Sequence, residues 1–172
     1  MRNYTTLILI FLFFFSANYV YGEQPSLKSL VQSSAVVIGK VEKKSEYQTV
    51  DVSGVKIYEA FTTFNVEKYL RAPVNKKFAG KSSVIIFAEG QDDTRDPGFN
   101  EGERLLVFIK EFNNPPQEYS QDVVYILNNR FGSRFQIHEN DVLRDHWGVF
   151  KDTKKRSIPL EEAISQIEKL LN

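Results

Sequence analysis

The 172-residue sequence has no cysteine, two histidines, one tryptophan and no surplus of either charge. Without cysteine there is no disulfide framework, no thiol nucleophile and no lipid-bearing thiol, so stability must come from a packed apolar core. With 22 basic and 22 acidic residues, the chain lacks the basic excess expected of a general nucleic-acid or anionic-surface binder. Two histidines restrict metal and acid–base sites to a few combinations. A phosphate-binding glycine loop, a dinucleotide fingerprint, a serine nucleophile elbow and a zinc-protease helix are all missing. No cofactor is implied, and nucleic acid is not an expected partner.

The amino terminus has the anatomy of a secretory signal. A positive Arg2 precedes the nine apolar residues Leu7 to Phe15, and a polar stretch ends on Val20 and Gly22 in a small-x-small arrangement. Nine apolar residues are too few to span a bilayer, which takes about 20. The expectation is cleavage near Gly22 and a secreted or periplasmic protein with no membrane span, in which residues 23–172 form one domain. Its partner would be another protein or an envelope component. Asn-x-Ser/Thr occurs only at Asn3, inside the signal.

The stretch Leu105-Leu106-Val107-Phe108-Ile109 follows a turn at Asn100-Glu101-Gly102 and ends at Lys110-Glu111. A short unbroken apolar run between turn signals reads as a strand buried on both faces. Upstream, Leu27, Leu30 and Val31 share one face of a short helix over 24–34 capped by Ser26. Ala35 to Lys43 reads as a strand in which Gly39 marks a bend or bulge. Residues 47–52 and 56–67 form a hairpin around Ser53-Gly54, and the second strand alternates. Tyr58, Ala60, Thr62, Phe64 and Val66 share one face; Glu59, Phe61, Thr63, Asn65 and Glu67 share the other. Further strands fall at 83–87, 123–127, 134–138 and 142–143. From Pro159 the period becomes helical, with Leu160, Ala163, Ile164, Ile167, Leu170 and Leu171 in one stripe.

This order predicts a mainly β protein: an antiparallel OB-like barrel of about six to eight strands, with a short amino-terminal helix and a docked helix over 159–171. The sequence of a short helix, Val36-Val37-Ile38-Gly39-Lys40-Val41, the hairpin carrying Phe64-Asn65-Val66-Glu67-Lys68-Tyr69-Leu70, and Gly102-Glu103-Arg104-Leu105-Leu106-Val107-Phe108-Ile109 resembles small exported bacterial domains. These are similar to the OB-like barrel of netrin and tissue-inhibitor-of-metalloproteinases modules, over residues 27–143. That resemblance implies a barrel. The inhibitors act through an amino-terminal cysteine on the protease metal, and the cysteine-free chain departs from them there.

Candidate chemistry is sparse. Glu89, Asp92, Asp93, Asp96 and Glu101 form an acidic loop able in principle to hold calcium, but Thr94 and Pro97 break the EF-hand pattern. The loop reads better as a solvated one. His138, Asp141, Asp145 and His146 are the one His–carboxylate group, a weak candidate for zinc or acid–base chemistry. Lys151, Lys154, Lys155 and Arg156 form a basic run that could meet a phosphate-rich partner or be a solvated loop. Phe61, on the polar face of its strand, and Trp147, in a polar loop, are candidate binding aromatics, unless the carboxy-terminal helix covers that face. The leading expectation is a non-enzymatic exported binding domain. The alternatives are a protease inhibitor presenting loop 89–101 or 112–121, and a metal-dependent hydrolase built around His138 and His146.

Overall fold

The computed structural model describes residues 25–45, 48–52, 54–75, 78–90, 99–113, 115–119, 122–128, 132–150 and 156–172. Ser26 opens helix α1 (Leu27–Ser33) by accepting a hydrogen bond from the Ser29 amide at 3.1 Å. The helix buries Leu27, Leu30 and Val31, as their spacing requires. Strands β1 (Ala35–Lys44), β2 (Gln48–Val52), β3 (Val55–Arg71), β4 (Ser83–Gly90), β5 (Arg104–Glu111) and β6 (Val124–Leu127) follow. The chain closes with β7 (Arg134–His138), β8 (Val142–Arg144), β9 (Ser157–Pro159) and helix α2 (Leu160–Leu171).

Five strands form a closed barrel in the order β1–β3–β4–β6–β5 and back to β1. It is the OB-like barrel that the strand pattern predicts. One pairing is parallel: Ile85, Ile86 and Phe87 of β4 lie beside Val124, Tyr125 and Ile126 of β6. Strand β2 continues β1 along the same edge of β3, pairing with Val55 to Glu59. Beyond the barrel, β7 pairs with β5, β8 with β7 and β9 with β8. The nine strands among the described residues thus exceed the six to eight expected, because the three-residue β9 has too little pattern to be read from sequence.

Strand β5 is central. One edge pairs with β1 from Arg104 to Ile109, and the other is shared by β7 and β6. Its alternate side chains enter two cores. Leu105, Val107 and Ile109 point into the barrel with Val37, Phe64, Ile86 and Tyr125. Leu106 and Phe108 point outward beneath the helices, against Val36, Ile38, Leu30, Phe135, Phe150 and Ile167. All five residues from Leu105 to Ile109 are fully buried. Burial on both faces explains why the run is unbroken rather than alternating.

Helix α2 docks on that outer core through Leu160, Ala163 and Ile167, and its neighbours include α1, β3, β8 and β9. Its first amide donates to the Asp141 carbonyl at 2.7 Å, so the β7–β8 hairpin caps the helix. Among the described residues no helix is long and apolar enough to cross a membrane.

A third, smaller cluster lies elsewhere on the barrel surface. Phe61, Phe87 and Val124 are buried there with Phe112 and Tyr119 packed over them. Tyr119 stacks on Phe61 at 3.9 Å between centroids, and Phe112 on Phe87 at 5.1 Å.

Inside the barrel, Thr62 is 1 % exposed and its Oγ1 has no hydrogen-bond partner among the described residues. A buried hydroxyl without a partner costs free energy. The nearly isosteric Thr62→Val should therefore raise stability by about 1 kcal/mol in urea unfolding. A loss of stability would show that the hydroxyl is engaged.

Candidate functional site

The sequence places four His and Asp residues near one another at 138–146, and the structure separates their roles. Asn140 and Asp141 form the β7–β8 hairpin turn, both at positive φ (69° and 52°), a conformation that Asn and Asp tolerate better than most residues. Asp141 Oδ1 accepts from Arg104 Nη1 at 2.5 Å, and Glu67 accepts from Arg104 Nε at 2.7 Å. The hydrogen bond that Arg104 donates to Glu67 pushes the arginine pKa upward; partial burial opposes this, and the hydrogen bond to Asp141 adds to the rise. One guanidinium thus ties β3, β5 and the hairpin together.

Asp145 is 2 % exposed. Its Oδ1 accepts the amides of Trp147 and Val149 at 3.2 and 3.1 Å, and its Oδ2 accepts the Phe150 amide at 2.9 Å. Its own amide donates to the Arg156 carbonyl at 2.9 Å. A carboxylate occupied this way is a brace for the loop, not a free base or metal ligand. His138 and His146 are both exposed. Among the described residues no three His, Asp or Glu side chains are grouped to hold a metal ion. The weak metal candidates His138, Asp145 and His146 are therefore not brought together as a site.

The braced loop is anchored from below. Val149 and Phe150 are buried, and the Phe150 ring meets Phe135 edge-on at 5.1 Å. Gly148 takes φ 64°, which lets the chain turn back into the core. Above this anchor Trp147 is 45 % exposed. Of the Phe, Tyr and Trp side chains that the structure describes, it alone is exposed. Asp145→Ala would leave three buried or half-buried amides without their acceptor and should cost about 2–3 kcal/mol. Trp147 emission should shift to the red as the loop loosens. An unchanged melt and an unchanged spectrum would show that the loop is held by its apolar anchors alone.

The second aromatic candidate is corrected. Phe61 is 4 % exposed, because Tyr119 from the β5–β6 connection covers it; helix α2 does not. Asp92, Asp93 and Asp96 lie outside the described residues. Glu101, at the end of that acidic stretch, accepts the Lys44 amide at 3.3 Å.

Among the described residues, two of the surface clefts lie beside the barrel. One, of about 610 Å³, runs between the turn before β5 and the β7–β8 hairpin. Its polar groups largely serve one another: Glu103 accepts from Asn100 and Gln136, and Arg104 holds Asp141. The other, of about 290 Å³, lies at the end of α1, where Asn128 donates to Ser33 and Ser34. Its floor holds Tyr125, whose hydroxyl pKa burial pushes well up. No protein-family model matches the chain, and no curated protein matches it.

Proposed function

We propose that this protein is an exported, non-enzymatic binding domain that meets its partner through the outside of its barrel, with the loop from Asp145 to Phe150 as the contact. The observation that carries this reading is the Asp145 carboxylate. It organises three amides around an exposed tryptophan. A large aromatic held at the surface by a rigid frame has a low ordering cost on binding, and such residues dominate binding energy where they occur. The barrel interior supports the same reading, since side chains such as Phe64, Phe99, Leu105 and Tyr125 fill it and a ligand must bind outside.

Export rests on the apolar run and small-residue end of residues 1–22. Mass spectrometry of the protein from its native source should find an amino terminus at or near Glu23; an intact Met1–Gly22 segment would remove this part of the proposal. The binding role is tested by comparing what the wild-type protein and Trp147→Ala retain from native envelope extract. A component held by the wild type and released by the variant, with melting curves unchanged, is the expected result. Equal retention by both would move the contact away from the loop.

A further inference from the structure

Charge is uneven along this balanced chain. Between residues 144 and 156 the sequence has five basic residues against two acidic ones, and one of those two is the buried Asp145. Arg144 and Arg156 are exposed, and the strands that carry the loop ends keep them together. Arg144 pairs with Ser157, and the Asp145 amide meets the Arg156 carbonyl. Two exposed arginines thus leave the backbone side by side at the base of the loop that carries the exposed Trp147.

Resting on the binding role proposed above, we infer that the loop from Asp145 to Phe150 docks on an anionic lipid bilayer, with Trp147 at headgroup depth and Arg144 and Arg156 against lipid phosphates. Tryptophan is favoured at that depth because its ring is apolar over most of its area and its N–H stays wet. Each basic side chain near an anionic surface adds attraction. A bilayer accepts a single projecting ring without a shaped pocket. Single-stranded nucleic acid calls for a row of stacking aromatics in a positive groove, and of the Phe, Tyr and Trp side chains that the structure describes Trp147 alone is exposed. One ring and a few charges make a reversible contact rather than an insertion.

The lone tryptophan makes the test direct, because all indole emission comes from this loop. The purified protein is titrated with vesicles of phosphatidylglycerol and phosphatidylcholine, and with vesicles of phosphatidylcholine alone. A blue shift and co-sedimentation with the anionic vesicles only are expected, with both lost in about 0.5 M salt. Arg144→Gln with Arg156→Gln should weaken binding about 25-fold, and Trp147→Ala about tenfold by sedimentation. These exposed positions leave the melting curve in place. No shift with anionic vesicles, equal binding to neutral vesicles, or full binding by the arginine variant would overturn the inference. So would a preference for heparin, a soluble polyanion, over vesicles. A Trp147-dependent protein partner in the capture experiment, together with no vesicle binding, would overturn the bilayer and leave the broader binding role standing.

Discussion

Gly39→Ala is expected to lower the melting temperature by about 6–12 °C or to prevent soluble folding, the effect of about 3 kcal/mol on a domain of this size. Gly39 lies in β1 at a shift of register against β3, one of three along that pairing. A Cβ built there would fall on the Asn65 carbonyl oxygen and 2.6 Å from the Phe64 ring. The obstacle is backbone, so no rotamer change relieves it. Strand β3 would have to move away from β1, and β1 is also held to β5 on its other edge. A closed barrel cannot absorb such a shift on one side without disturbing the next seam. A melting temperature within about 2 °C of wild type would show that the β1–β3 seam is far looser than this.

Phe108→Ala should cost about 3–5 kcal/mol in denaturant unfolding. The ring is fully buried in the outer core and lies edge-on to Phe135 at 5.9 Å and 78°. Its backbone is engaged as well: its amide donates to the Ser133 carbonyl at 2.8 Å, and its carbonyl accepts from Asn128 at 2.9 Å. The surrounding strand is therefore held in place and cannot collapse into the vacated volume. The residual cavity adds to the lost transfer free energy. Phe108→Leu should cost less than half as much, because most of the volume is kept. A loss below about 1 kcal/mol for the alanine variant would mean that the helices and β7–β9 do not form a core with β5.

Where the pattern is local, the sequence was readable. The Ser26 cap, the apolar stripe of α2, the run in β5 and the bend at Gly39 each depend on neighbours within a few residues. Features that depend on distant segments were not. Phe61 alternates with buried residues and so reads as outward; only the arrival of Tyr119, from another connection, buries it. The parallel β4–β6 pairing has no local signature either, since an apolar strand does not encode the direction of its partner. Asp145 is an intermediate case. Its flanking histidines suggest metal chemistry, yet Asp145-His146-Trp147-Gly148 also carries a turn signature: an aspartate whose carboxylate can take amides a few residues on, then a glycine at positive φ. Given that signal, the loop and its exposed tryptophan could have been placed from sequence.

The seam between β1 and β5 has a consequence for the route by which the chain folds. Ala35 meets Ile109, and β4 finds its parallel partner only when Val124 to Ile126 are present. Closure therefore depends on contacts between segments far apart in sequence, the class of topology that folds in milliseconds to seconds rather than microseconds. Until residues 104–127 arrive, the β1–β3 hairpin can form, but the other edge of β1 has nothing to pair with. That edge includes Val36, Val37 and Ile38, and an unguarded apolar edge pairs readily with other chains. A nascent or prematurely ended chain that stops before Arg104 would thus be the aggregation-prone species, and the arrival of β5 is the event that removes the hazard.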